Sequence, residues 1–197
     1  MRARGRLVVA TGNPGKLQEL VELLAGQDLE LVGWPTEVEE AGDTYETNAA
    51  LKAEAAAAGA GLPALGDDSG LEVDALGGAP GLRSARLART QQERIRILLS
   101  RLRGLPRPWT ARFVCVVALS VPGGRTRSFR GERRGRVVEP RAGGRGFGYD
   151  PLFEVPEVGR TFAEMEAAEK HRWSHRGAAV RTLVASGALE ELGAPLQ

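Results

Sequence analysis

Leu7-Val-Val-Ala-Thr-Gly-Asn-Pro-Gly-Lys-Leu17 is the stretch from which the fold is read. Leu7 to Ala10 is a short apolar run of the kind that forms a buried strand. Thr11-Gly-Asn-Pro-Gly-Lys16 is turn chemistry, and Leu17, Leu20, Val21, Leu23 and Leu24 then fall on one face of a helix. A strand, a tight loop and a helix in that order begin an α/β unit. Leu29 to Gly33 reads as a second strand, and alanine-rich Glu46 to Gly59 as a second helix closed by Gly59-Ala-Gly61. Leu62 to Gly66 leads into Asp67-Asp-Ser-Gly70, read as a strand end turning into a loop. Gly77 to Gly81 is loop, and Gln91 to Leu102 is an amphipathic helix through Ile95, Leu98, Leu99 and Leu102. Ala111 to Val121 and Arg125 to Arg136 form a hairpin around Pro122-Gly123-Gly124. A glycine-rich loop from Gly143 to Tyr149 follows, then two further helices over Thr161 to Glu169 and Gly177 to Leu192. Alternation early and a hairpin later predict an α/β fold with a mixed sheet.

Composition narrows the function classes. The chain has 197 residues, a formal charge of +2 and 42% hydrophobic residues, which is ordinary globular composition and fits one domain. Its longest apolar run, Phe113 to Leu119, falls far short of the roughly 18–20 residues of a membrane span. The basic start Met-Arg-Ala-Arg-Gly-Arg precedes an apolar run too short for a signal-peptide core. A cytosolic protein with no membrane partner is expected. The single cysteine, Cys115, sits in an apolar stretch and reads as a buried structural thiol. Of the 27 basic residues all but Lys16, Lys52 and Lys170 are arginine. Those arginines are interspersed with acids, and only Phe129 lies in the densest cluster, Arg125 to Arg136. That pattern predicts a solvated surface and no nucleic-acid partner.

Four segments carry candidate chemistry. In Thr11-Gly12-Asn13-Pro14-Gly15-Lys16, glycines admit close approach of a ligand, a helix start offers free N–H groups to an anion, and Lys16 adds charge. It is not a Walker A loop, because Ala10 and Leu17 stand where glycine and Ser/Thr are needed. A plain strand–helix turn is the alternative. Asp67 and Asp68, adjacent in extended backbone, would point to opposite sides, so one can hold a metal while local hydrogen bonds hold the other. Two solvated acids in a turn is the alternative there. In Gly146-Phe147-Gly148-Tyr149-Asp150, flanking glycines let an aromatic ring lie flat on a base, or Phe147 tucks into the core. Finally, Glu169 to Arg176 holds both histidines of the chain, with Ser174 placed as an N-cap for the helix after it.

Together these segments resemble the Ham1-like non-canonical purine nucleoside triphosphate pyrophosphatases, over Leu7 to about Leu192. The resemblance rests on Thr-Gly-Asn-x-x-Lys at 11–16, Asn48-Ala-x-x-Lys-Ala53 and Asp-Asp-Ser-Gly-Leu at 67–71. Gly-Gly-Ala-Pro-Gly at 77–81 with Ser84-Ala-Arg86, Gly-Phe-Gly-Tyr-Asp-Pro at 146–151 and Ser-His-Arg-Gly at 174–177 complete it, all in the family's order. It implies hydrolysis of ITP, dITP and XTP to the monophosphate and pyrophosphate with Mg²⁺. It further implies a homodimer and, within residues 1–197, one domain whose elongated mixed sheet with flanking helices makes two lobes around a substrate cleft. Residues 11–16 and Lys52 would take the triphosphate, and Asp68 would be the magnesium-linked general base with Ser69 beside the substrate. Phe147, Gly148, Tyr149 and Asp150 would hold the purine, and Lys170, His175 and Arg176 would complete the site. Many relatives read Glu-Asn-Ala where this chain reads Thr47-Asn48-Ala49. Glu46, one residue earlier, would point elsewhere on a helix and is left out of the site.

Overall fold

The structure is a computed structural model that describes residues 5–35, 38–141 and 143–193. Most of the basic N-terminal stretch, residues 1–4, lies outside the described residues. In chain order the elements are β1 (Gly5–Ala10), α1 (Pro14–Leu23), β2 (Leu29–Trp34), α2 (Tyr45–Ala60) and β3 (Ala64–Val73). They continue with α3 (Gln91–Leu102), β4 (Trp109–Ser120), β5 (Arg127–Val137), β6 (Phe153–Val155), β7 (Arg160–Thr161), α4 (Ala167–Trp173) and α5 (His175–Ala185). The strands form one sheet in the order β2-β1-β3-β4-β5-β6-β7. β1 runs parallel to β2, with Gly5 opposite Leu29, and parallel to β3, with Val8 opposite Ala64. β6 is antiparallel to both β5 and β7. The sheet is therefore mixed and the fold α/β, as the alternation predicts.

Local chemistry sets the helix starts. Asn13 caps α1 by accepting from the backbone N–H groups of Gly15 and Lys16, and Pro14 occupies the first helical position, where no donor is needed. Thr44 caps α2 through the N–H of Thr47, and Thr90 and Glu93 form a reciprocal capping box on α3.

Three sequence expectations are corrected. Asp67 to Gly70 is not a loop but the middle of β3. Its carboxylates have distant ion-pair partners, and Gly66 lies so close to α2 that a Cβ would collide with the carbonyl of Ala49. The expected helix over 161–169 begins instead as the end of β7 and a 3-10 turn at Phe162–Glu164, so α4 starts six residues late. The last helix stops at Ala185 rather than Leu192. Gly187, with φ of 72°, takes the left-handed conformation that ends a helix.

Two compact units divide the chain, the division falling inside β3, β4, β5 and α5. The first holds the residues up to Asp68, Cys115–Gly131 and those from Ala178 on. Its core includes Leu7, Val9, Leu20, Leu24, Leu65, Val117 and Leu183. The second holds Ser69–Val114 and Glu132–Gly177 around Leu71, Leu98, Phe113, Phe153 and Phe162. Among the described residues no helix is long and apolar enough to cross a membrane. Several arginines of the β5 cluster meet carboxylates: Arg130 with Glu46 at 2.8 Å, Arg127 with Glu191 at 3.2 Å and Arg133 with Glu157 at 2.5 Å.

Candidate active site

The candidate residues fall into two groups, one in each unit. Thr11 to Lys16, Lys52 and Asp68 belong to the first; Ser69, Phe147 to Asp150, Lys170, His175 and Arg176 belong to the second.

In the first unit the two faces of β3 do different things. Side chains alternate along a strand. Gly66 and Asp68 face α2, while Asp67 faces the other way, as adjacent carboxylates in extended backbone must. Asp67 is buried, ion-paired to Lys16 from the start of α1, and accepts from the Cys115 thiol at 3.1 Å. Cys115 is a buried thiol as expected, though its partner is a carboxylate. On the opposite face Asp68 Oδ1 lies 3.0 Å from Lys52 Nζ, and Oδ2 accepts from Asn48 Nδ2 at 3.3 Å. Asn48 and Lys52 are four residues apart and share one face of α2, which is why both reach the same carboxylate.

Lys52 Nζ also donates to Glu40 Oε1 at 2.7 Å. Burial pushes the Asp68 carboxyl above its usual range, and the cations of Lys52 and Lys16 pull it back only in part. For Lys52, burial alone would lower the ammonium's pKa; the charges of Asp68 and Glu40 outweigh it and raise the value. Two carboxylates, Asp68 and Glu40, thus share one ammonium.

Glu40 escapes sequence reasoning. It stands in an irregular segment, 12 residues from its lysine, and nothing nearby marks it. Glu46 points elsewhere, as its place on the helix suggests, and pairs with Arg130. Among the described residues no three His, Cys, Asp or Glu side chains gather around one point. Glu40 and Asp68 nevertheless fit magnesium, which takes hard oxygen ligands and is usually held by one or two carboxylates plus substrate phosphates.

In the second unit the glycine-rich loop is held from inside. Asp150 Oδ2 accepts from the Phe147 N–H at 2.7 Å and from Lys170 Nζ at 2.6 Å. Gly146, at φ of 74°, leaves room for that carboxylate. The Gly148 N–H donates to Gln91 Oε1 at 3.0 Å, a support from α3 that the sequence did not mark. Tyr149 is buried and donates to the carbonyl of Ser84 at 3.0 Å; burial pushes its phenol up to about 12. Asp150, Tyr149 and Lys170 thus shape the loop, while the Phe147 ring lies 5.0 Å from Lys170 Nζ and 5.7 Å from the Arg176 guanidinium carbon. Arg176 is buried and donates to Ser69 Oγ at 3.2 Å. His175 stacks on Phe113, centroids 4.5 Å apart and planes within 7°. Ser174 ends α4 and accepts from the Gly177 N–H at 3.0 Å, the capping role its position predicts.

One α/β chain thus carries a strand–loop–helix turn, buried lysine–aspartate pairs and a glycine-rich aromatic loop, the parts that a nucleotide-handling protein needs for phosphates and a base. A model of the Ham1 family matches residues 7–186. The chain belongs to the Ham1 family. It is 51% identical over 180 residues to a dITP/XTP pyrophosphatase of Gloeobacter violaceus, covering 90% of this chain and 92% of that one. A dITP/XTP pyrophosphatase of Thermus thermophilus is 50% identical over 191 residues, 91% of this chain and 90% of its own length. Among solved structures, a HAM1 protein from Coxiella burnetii superposes with a TM-score of 0.83 at 39% identity. That match covers 95% of this chain and 99% of that one.

Proposed function

We propose that this protein hydrolyses dITP, XTP and ITP to the nucleoside monophosphate and pyrophosphate, with Mg²⁺, and so clears non-canonical purines from the nucleotide pool. The observation that carries this reading is the cluster of Lys16, Asp67, Asp68, Lys52 and Glu40, charged groups of the kind a triphosphate and its metal need. Residues 11–16 and Lys52 bind phosphate oxygens, Lys16 and Lys52 as compact point charges. Glu40 and Asp68 would hold the metal, which would neutralise phosphate charge and acidify water. Asp68 orients the attacking water and accepts its proton. Little covalent chemistry is asked of the protein, since hydrolysis of an anhydride needs positioning and charge stabilisation above all.

The base is assigned to the second unit. Phe147 stacks against the purine, and Asp150 and Lys170 fix the loop that presents it. Arg176 or His175 donates to the carbonyl at purine position 6. Adenine carries an amino group there, and leaving the donor unpaired would cost ~1–3 kcal/mol. The family resemblance supports one pyrophosphatase domain over residues 1–197, working as a homodimer in the cytoplasm.

Turnover of dITP, XTP, ITP, ATP and GTP, with and without chelator, tests the reading. Strong preference for the first three, lost on removing divalent metal, is expected. Equal turnover of ATP would contradict it, and sedimentation of the free protein decides the dimer.

A further inference from the structure

Asn48 and Lys52, one helical turn apart on α2, each bridge the same two pieces of chain. Lys52 Nζ joins Asp68 Oδ1 at 3.0 Å to Glu40 Oε1 at 2.7 Å. Asn48 joins Asp68 Oδ2, at 3.3 Å from Nδ2, to the Gly42 N–H, at 2.9 Å from Oδ1. The carboxylate of Asp68 is thus held at both oxygens, and the segment bearing Glu40 is tied down at both a side chain and a backbone amide. The two bridges differ in kind. Asn48 is neutral, fully buried and satisfied by fixed partners. Lys52 is a cation on a flexible stem, placed between two carboxylates whose oxygens are also the hard donors a divalent cation takes.

We propose that Lys52 is a placeholder for the metal: its ammonium holds Glu40 and Asp68 together and yields them to a divalent cation, freeing the lysine for the triphosphate, while Asn48 keeps both carboxylates in register. The inference rests on the metal reading of Asp68 and Glu40 given above. A doubly charged ion competes well for this pair of oxygens, because charge attraction at these distances is large in a half-desolvated site. The released ammonium has a new partner at hand in the phosphates bound by residues 11–16. Lys52 then serves metal and substrate in turn, and metal binding is coupled to phosphate binding by one side chain. The raised pKa of Lys52 agrees with the geometry, since the two carboxylates hold its proton. Lys170 differs in its geometry: the Asp150 oxygen that it meets also accepts from the Phe147 N–H.

Two measurements test the exchange. The first is Mn²⁺ binding to the nucleotide-free protein, by calorimetry or paramagnetic resonance, in wild type and Lys52→Met. Removing the competing charge should tighten Mn²⁺ binding on the order of tenfold, even as KM for dITP rises. Unchanged or weaker Mn²⁺ binding by the folded variant overturns the exchange. No binding by either protein overturns the metal reading beneath it as well. The second needs no substitution: wild-type protein is labelled with acetic anhydride, and each lysine is mapped by mass spectrometry. Mg²⁺ should accelerate acetylation of Lys52 severalfold and leave Lys170 unchanged. A Lys52 rate indifferent to Mg²⁺ overturns the proposal even where Lys52→Met fails to fold.

Discussion

Two buried lysine–aspartate pairs, Lys52–Asp68 in the first unit and Lys170–Asp150 in the second, have nearly the same geometry, 3.0 and 2.6 Å, and comparable burial. Their third partners separate them. Lys52 meets a second carboxylate, Glu40, so two carboxylates share one ammonium. Asp150 meets the backbone N–H of Phe147, so its charge is consumed in fixing a loop. A buried pair is therefore not itself a sign of catalysis. What completes the pair sets it apart: a second carboxylate at Lys52, a backbone N–H at Asp150.

The largest expected effect tests the first pair. Asp68→Asn removes charge but little shape, and kcat should fall by about 10²–10⁴, the range of a lost general base. Nucleotide binding should persist, and near-wild-type turnover would remove Asp68 from the chemistry. Asp150→Ala is the converse. It strands a buried ammonium and an N–H, so chemical denaturation should show a loss of about 3–5 kcal/mol. A variant as stable as wild type would break the comparison.

Tyr149 sharpens the same contrast through pH. Its folded phenol titrates at about 12, against 10.0 unfolded. The folded state therefore has its full advantage below pH 10 and loses it as pH rises to 12, when the unfolded phenol ionises first. The loss should reach about 3 kcal/mol, and Tyr149→Phe should flatten that part of the stability curve. Phe147→Ala, which leaves the Asp150 clamp intact, should raise KM by ~1–3 kcal/mol of lost stacking with thermal stability nearly unchanged. Gln91→Ala gives up one hydrogen bond to the loop, and should cost about 1 kcal/mol, read as a small drop in melting temperature.

Much of the fold was legible. The turn at residues 11–16, the helices α1, α2 and α3 and the apolar faces of α1 and α3 follow from local spacing and turn chemistry. β3 was not legible through Asp67-Asp-Ser-Gly70, because four polar or small residues look like a loop until their partners on α1 and α2 are known. β6 and β7, at three and two residues, are too short to carry a period. The three lysines stand out against an arginine background, and each has an aspartate partner. Glu40 and Gln91 act through pairing distant in sequence, which leaves no local pattern. Glu46, by contrast, had a local reason to be left out and pairs with Arg130.

One measurement bears most directly on the central claim: the phosphate products of dITP hydrolysis with Mg²⁺, resolved by phosphorus resonance as turnover proceeds. Pyrophosphate appearing in step with deoxyinosine monophosphate is predicted, with no diphosphate intermediate. Orthophosphate and the nucleoside diphosphate as first products would contradict it.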